Sequence, residues 1–395
     1  MTAIKATETS KIGVQVQSIK NLQTIFLICV GVICVFILTG IQSGIQQPIV
    51  DHSFTKNSNL YVTSNDEGTS EVVRERRDDL FLEYMNAIGT LERMQINKKT
   101  KRLPDIIGIG AEKCGTEALR QLLSSHPLIK SPDKESNFFG GHNYDLGPDY
   151  YRDLMPKVSP YELIFEKTSE YFVQGVWTPY HMHKILPDAK LILVLCDPAN
   201  RTYSDYVQEI SNGKVESTTS FDELMGNLLT SYLSSLNYQK DDDDNQIQYI
   251  SKIRKKHPAS DILTTGMYYY HLLKWYKYYN TSEIHIVDGE ELMHNPAKVV
   301  KELQAFLGIP EFLLPDDITQ GPDGFYCFSP PFVVNIQGKL RVNTTKPKCL
   351  DRDTKEVAAN TNHGTPYLEA MKKIKRFYLP FNQKLFELLG KKFHW

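Results

Sequence analysis

The stretch Leu103-Pro-Asp-Ile-Ile-Gly-Ile-Gly-Ala-Glu-Lys-Cys-Gly-Thr-Glu-Ala-Leu119 confines the fold more than any other part of the chain. Its apolar run predicts a short buried strand from Ile106 to Ile109. The glycines predict a turn, and the residues beyond predict a helix that opens near Thr116 and continues to about Ser125. Glycines 108, 110 and 115 would let the backbone approach a ligand closely, and the first turn of a helix offers unpaired N–H groups and a partial positive charge. Lys113 adds a mobile cation and the Thr116 hydroxyl a further donor. Such a joint cradles an anion, so the expected ligand carries phosphate or sulfate.

A nucleoside-triphosphatase loop, Gly-x-x-x-x-Gly-Lys-Ser/Thr, places its lysine after the last glycine. Here Lys113 stands two residues before Gly115, which argues against a kinase-type P-loop. With 395 residues, 41% of them hydrophobic, the chain suffices for one sizeable α/β core and a tail. A net charge of −2 does not mark the whole protein as a polyanion binder, so local patches must supply any such binding. The six cysteines fall in three contexts: Cys29 and Cys34 in an apolar run, Cys114 and Cys196 in the expected ligand loops, Cys327 and Cys349 around a loop near the C-terminus. None has metal-ligand spacing, so no structural zinc is expected.

Residues 1–21 are polar, with Lys5, Lys11 and Lys20 against Glu8, whereas Leu22 to Ile41 carries no charge. At about 1.5 Å per residue that run spans roughly 30 Å of hydrocarbon. No small-x-small cleavage pattern follows it. The charge bias predicts a cytoplasmic tail at 1–21, a type II signal anchor at 22–42 and a luminal stem at 43–102. Within the stem, Leu80, Tyr84, Ala87, Leu91 and Met94 alternate spacings of four and three. That pattern fits a short coiled coil joining two copies, or an amphipathic helix packed on its own domain, the latter favoured. A basic cluster of Lys98, Lys99, Lys101 and Arg102 closes the stem.

From 103 to 395 the chain reads as one globular domain. Leu163 to Phe165, Leu191 to Leu195 and Ile284 to Val287 predict further buried strands, and Pro296 to Leu307 a helix with Asn295 as N-cap and Gly308 as its stop. Strands alternating with helices imply an α/β domain with a central, mainly parallel sheet and ligands at the carboxyl ends of its strands. Asp241 to Asp244 is expected at a solvated loop tip. After the strand at 191–195, Cys196-Asp-Pro-Ala-Asn-Arg-Thr-Tyr-Ser-Asp-Tyr206 forms a second strand-end loop, where Arg201 and Ser204 can turn toward an anion. The same residues also read as a capped helix start, with Asp197 as cap and Pro198 in the first turn.

Four segments occur in order: Lys113-x-Gly-Thr116 after a strand, Phe165-Glu-Lys-Thr-Ser-Glu-Tyr-Phe172, the Asp197-Pro-x-x-Arg-x-x-Ser-x-Tyr loop, and Gly324-Phe-Tyr-Cys327 followed by Lys348-Cys-Leu350. Together they resemble the heparan sulfate sulfotransferases, which use 3′-phosphoadenylyl sulfate (PAPS), over essentially residues 103–395. The likeness extends to the glucosamine 3-O-sulfotransferases and to the N-sulfotransferase half of the N-deacetylase/N-sulfotransferases. It implies that Lys113, Gly115 and Thr116, with Cys114 and Glu117 beside them, hold the 5′-phosphosulfate. Ser204, with Cys196 and Arg201, would serve the 3′-phosphate, and Tyr326 would lie near the nucleotide. Glu135 matches the catalytic base, Lys167 a lysine of the acceptor and sulfuryl site, and Lys134 and Asn137 adjoin the acceptor. Cys327 and Cys349 match a disulfide pair, worth about 3 kcal/mol in an oxidising lumen.

The chemistry asks for the same residue types: cations near the transferring group, donors for its oxygens, and a base for the acceptor proton, without a metal. The sequence also departs from the pattern. Cys196 stands where the 3-O enzymes usually carry Arg, Asn137 replaces a histidine typical of that branch, and Phe138-Phe-Gly-Gly-His-Asn-Tyr144 is closer to the N-sulfotransferases. No Lys-Gly-Arg follows Cys349 in Asp351-Arg-Asp-Thr-Lys-Glu-Val357. Ser204-Asp-Tyr206 and the single-domain layout favour the 3-O branch. The expected function is therefore a Golgi, membrane-anchored 3-O-sulfotransferase of heparan sulfate, with no nucleic-acid partner; N-sulfation and a catalytically impaired glycan-binding relative stand as alternatives. Two basic clusters, Lys252 with Arg254, Lys255 and Lys256, and Lys372 with Lys373, Lys375 and Arg376, suit a sulfated glycan but read first as solvated faces. Asn280 and Asn343 begin glycosylation sequons expected to be used; Asn200 begins one in the second loop, expected unmodified.

Overall fold

The structure, a computed structural model, describes residues 99–235, 243–256, 259–321 and 365–395, together with residue 324 and the short stretches 326–328, 332–334, 340–342 and 348–349. The expected signal anchor, the stem helix, Asn343 and the 351–357 stretch lie outside the described residues. Among the described residues no helix is long and apolar enough to cross a membrane.

The strands are β1 (Thr100–Lys101), β2 (Ile106–Gly110), β3 (Ile129–Lys130), β4 (Lys157–Val158), β5 (Leu163–Lys167), β6 (Lys190–Leu195) and β7 (Ile284–Asp288). Five of them form a parallel sheet in the order β3-β5-β2-β6-β7. Every residue of β2 is buried, and so are the last five of β6, as expected of strands covered on both faces. The central parallel sheet expected from the alternating pattern is thus present. Edge strand β3 was not expected, because two residues carry no readable period.

Strand β2 comes first in the sheet yet lies at its centre, with β5 and β3 on one side and β6 and β7 on the other. The order therefore reverses at β2, which opens a crevice beyond the carboxyl ends of β2 and β6. Helix α1 (Thr116–Ser124) leaves β2 and packs against β2, β3 and β5. Helices α2 (Gly147–Asp153) and α3 (Trp177–Ile185) flank β5, and α4 (Pro198–Ser211) leaves β6. Next come α5 (Phe221–Ser235), α6 (Asp243–Lys256), α7 (Ser260–Thr264) and α8 (Tyr268–Tyr276); α9 (Gly289–His294) and α10 (Pro296–Leu307) follow β7. The α10 boundaries match expectation, with the Asn295 side chain accepting from the Lys298 N–H and Gly308 at φ 70°.

The C-terminal helix α11 (Thr365–Leu389) closes a second apolar cluster with α4 to α8, centred on Met225, Leu263, Met267, Ile374 and Tyr378. A small antiparallel sheet joins β8 (Ile318–Gln320), β9 (Tyr326–Phe328) and β12 (Lys348–Cys349), and β10 (Phe332–Val334) pairs with β11 (Leu340–Val342). Cys327 and Cys349 face each other across β9 and β12 and are disulfide-bonded, the pairing the resemblance implies.

Two surface readings are corrected. Asp243 and Asp244 lie in the first turn of α6, where Asp243 accepts from the Tyr269 hydroxyl at 2.8 Å and Asp244 pairs with Lys277, so this part of the acidic run is helical. Arg254 is not a solvated member of its basic cluster. It donates to Thr265 Oγ1 at 3.1 Å and pairs with Asp261 at 3.2 Å, joining α6 to α7.

Candidate active site

Lys167 ends β5 directly beside Gly108 of β2. A Cβ at 108 would stand 3.0 Å from Lys167 Cγ and from the Phe165 ring, so glycine here makes room for the lysine stem. Gly110, at φ 146°, would place a Cβ 2.6 Å from the Ser169 carbonyl oxygen. The expectation that both glycines open the backbone to a ligand is therefore corrected: they allow β2 to pack against β5 and the loop after it. Gly115 does fit the expectation. At φ 90° it adopts a conformation that favours glycine, and its pro-Cβ direction meets only Leu292, at 3.6 Å.

Gly115 is also the N-cap of α1, and no side chain caps the helix there. The first N–H groups of α1 remain available to an anion, beside the Thr116 hydroxyl, which lies 3.1 Å from Ser169 Oγ. Lys113, at φ 68°, reaches across the crevice and donates to Gln208 Oε1 of α4 at 2.9 Å. The Gln208 amide donates in turn to Glu112 at 3.1 Å. Burial, together with Asp205 and Glu170 nearby, pushes the Glu112 carboxyl above its usual range.

Glu135 lies opposite. Its Oε1 accepts from Lys167 Nζ at 2.6 Å and from Ser169 Oγ at 2.7 Å. Lys167 also lies 3.4 Å from Glu117 Oε2. Burial opposes the charge on Glu117, yet the Arg120 hydrogen bond and the Lys167 ammonium outweigh it and hold this carboxyl below its usual range. The loop bearing Glu135 is fastened by the residue next to Lys167. Fully buried Glu166 accepts from Thr168 Oγ1 at 2.6 Å, Ser136 Oγ at 3.1 Å and the Tyr151 hydroxyl at 3.2 Å, and burial raises its pKa. Two adjacent residues of one strand thus serve one loop: Lys167 meets Glu135, and Glu166 meets the Ser136 hydroxyl beside it. Glu117, Arg120, Pro132, Lys134, Glu135 and Lys167 line an open cleft here. Lys134 is exposed within this lining; Asn137, also exposed, is not part of it and takes φ 47° as its N–H meets Thr168 Oγ1.

The second loop differs from expectation. Asp197 caps α4, accepting from the Ala199 N–H at 2.8 Å, and pairs with Lys375 of α11 at 3.1 Å. Arg201 does not face the crevice. It is buried beneath α4, bound to Asp205 at 2.8 Å and to the Ile262 carbonyl, because the 201/205 face of the helix is the one turned to the second apolar cluster. Ser204 is half-buried on α4, one turn before Gln208. Tyr326 donates to the His294 carbonyl at 2.6 Å.

Cys114 and Cys196 are joined in a disulfide that straddles the β2/β6 crevice, and the Cys114 N–H donates to the Ala111 carbonyl at 3.2 Å. The sequence reading placed both residues in the ligand loops without pairing them; the structure bonds them to each other, so neither carries a free thiol. Sequence reading also missed Ser169 and Gln208. Gln208 had one usable signal, its i+4 spacing from Ser204 on a helix. Asn280 is exposed, with its amide on Glu283, and Asn200 is exposed as well.

Comparison with known proteins accords with this arrangement. A family model described as "Sulfotransferase domain" matches residues 103–319. Mouse heparan sulfate glucosamine 3-O-sulfotransferase 3A1 is 30% identical over 308 residues, 78% of this chain and 68% of that protein. Human heparan sulfate glucosamine 3-O-sulfotransferase 5 is 26% identical over 320 residues, covering 80% and 81%. The Drosophila melanogaster bifunctional heparan sulfate N-deacetylase/N-sulfotransferase is 32% identical over 334 residues, 78% of this chain but 28% of that one. Among solved structures, a sulfotransferase from Alicyclobacillus acidocaldarius aligns with a TM-score of 0.49 at 20% identity, over 74% of this chain and 98% of that one. With more than half of its length under the family model and an uncapped, lysine-bearing helix start at the strand-order reversal, the chain belongs to the sulfotransferase family, enzymes that draw their sulfuryl group from PAPS.

Proposed function

We propose that this protein transfers the sulfuryl group of PAPS to the 3-hydroxyl of glucosamine in heparan sulfate. The observation that carries the reading is Glu135, held by Lys167 and Ser169 within one hydrogen-bonded chain that runs on to Thr116 at the anion-binding helix start. PAPS supplies the sulfuryl group and leaves as adenosine 3′,5′-bisphosphate. The N–H groups of α1, Lys113 and Thr116 would hold its 5′-phosphosulfate, and the open direction at Gly115 suits a tetrahedral anion.

Glu135 takes the proton from the acceptor hydroxyl as the new oxygen–sulfur bond forms and the bond from sulfur to the 5′-phosphate oxygen breaks. Lys167 offsets charge on the sulfuryl oxygens, and its contacts with Glu135 and Glu117 fix its position before substrate arrives. The chain of Thr116, Ser169, Glu135 and Lys167 thereby couples the donor loop to the acceptor cleft. Likeness to the 3-O-sulfotransferases over most of their length supports the 3-hydroxyl as acceptor. The N-sulfotransferase match and the Phe138 to Tyr144 segment support a second reading, transfer to the free amine of glucosamine. The charge bias around residues 22–42 supports anchorage in the Golgi membrane with this domain in the lumen.

Labelled PAPS with N-sulfated and N-unsubstituted heparosan, followed by disaccharide mapping, tests the assignment. Label at O3 is expected; label on nitrogen would select the second reading, and no label on either would leave a glycan-binding protein. Glu135→Gln is expected to lower turnover by about 100- to 10,000-fold while adenosine 3′,5′-bisphosphate still binds. Unchanged turnover would remove Glu135 as the base.

A further inference from the structure

The Cys114–Cys196 disulfide is the one covalent tie across the crevice among the described residues, linking loops 82 residues apart in sequence. Both cysteines are buried. Tyr268 places its hydroxyl 3.4 Å from Cys114 Sγ and 3.9 Å from Cys196 Sγ. At the start of α9, Gly289 fits flush against the bridge, since a Cβ there would stand 3.0 Å from Cys196 Cβ and 3.1 Å from the Cys114 carbonyl oxygen.

On one side of Cys114 the backbone adopts a conformation that a lysine resists, and on the other a left-handed one that glycine takes readily. Lys113 has φ 68° and Gly115 φ 90°, and a lysine in that region costs about 1 kcal/mol or more. These two residues present the ammonium and the open helix start to the anion. A loop with this backbone relaxes unless something outside it holds the middle residue. Cys114 is held at both its N–H and its sulfur, and the sulfur ties it to β6, a strand buried in the sheet.

We infer that the Cys114–Cys196 disulfide is a positioning device for the donor site: it holds Lys113, Gly115 and the start of α1 in the anion-ready conformation before the donor binds. This rests on the reading of that loop as the seat of the donor's 5′-phosphosulfate. Both cysteines are positioning residues, acting through the backbone of their neighbours. The cross-link also brings α4, with Ser204 and Gln208, to a set separation from the first loop, so one bond orders both sides of the donor site. A staple that served stability alone could join any two neighbouring surfaces. This one joins the two strand ends between which the donor must lie.

The test uses the full-length chain as C114S, C196S, the double variant, and a C327S/C349S control. Calorimetric titration with adenosine 3′,5′-bisphosphate and with a heparan oligosaccharide is combined with thermal melting. The expected result is an equal loss of bisphosphate affinity, ~10-fold, in each single variant and no further loss in the double, because either change breaks the same bond. Oligosaccharide affinity stays within about twofold, and the donor KM rises more than kcat falls. The control keeps its bisphosphate affinity.

A lowered melting temperature with bisphosphate affinity intact would overturn the inference and leave a stability staple. Unequal or additive losses would overturn it in favour of separate side-chain contacts. If the unaltered protein fails to bind the bisphosphate, the functional reading itself falls, and this inference with it.

Discussion

The helix that follows β2 begins without a side-chain cap, whereas the helix that follows β6 begins with one. Both start at the carboxyl end of a central strand of the same sheet, and both loops carry a cation within a few residues. In the first, Gly115 has no side chain to cap the N–H groups of its helix, and Lys113 reaches out across the crevice. In the second, Asp197 satisfies the helix N-terminus from within the chain, and Arg201 turns inward to Asp205. A helix start whose N–H groups are already paired has less to offer an anion, so the same strand–loop–helix plan yields a binding loop in one place and a bracing element in the other.

Three measurements can break or sharpen this contrast. The largest effect is expected from Lys113→Ala, a loss of about 100- to 1,000-fold in kcat/KM, with bisphosphate affinity also reduced. A small effect would mean that the uncapped helix start does the binding alone.

Next is the pH response of the support at the far end of α1. Buried His126 accepts from the Leu128 N–H at 3.2 Å and lies 3.0 Å from the Pro310 carbonyl through Nε2. Burial lowers its pKa to about 4. An unfolded histidine titrates near 6.5, so between about pH 6.5 and pH 4 the unfolded chain binds more protons and stability falls as pH falls. The cost is complete near pH 4, on the order of 3 kcal/mol. Urea midpoints from pH 7 to 4.5 should show the slope, and His126→Gln should flatten it; an equal slope in the variant would rule His126 out. Arg201, which braces α4, keeps its charge throughout.

The smallest effect is expected from Asp197→Ala, about 1 kcal/mol of stability from the lost cap, with bisphosphate affinity changed by less than about threefold. A large loss of affinity instead would show that the capped loop binds the donor as strongly as the uncapped one.

Local chemistry made much of the fold legible. Four of the five sheet strands were readable because buried parallel strands are continuous apolar runs, and α10 because its cap, first-turn proline and terminal glycine all sit in adjacent sequence. Glu135, Lys167, Lys113 and Thr116 were readable through motif order. The chain that joins them through Ser169 was not, because it depends on β5 lying beside β2 in one particular register. Arg201 was misplaced for a related reason: a residue on a helix points outward or inward according to what the helix packs on, and α4 packs on segments 61 and 176 residues further along the chain, at Ile262 and Tyr378.

By itself, then, the sequence determined the strand–turn–helix joint, the alternation that makes an α/β sheet and the residue types for sulfuryl transfer, since each arises from contacts between near neighbours. Only the tertiary structure decided which glycines face a ligand, which cation is buried, and that Cys114 meets Cys196. Those outcomes depend on strand order, and strand order is set by how the whole apolar surface is buried at once.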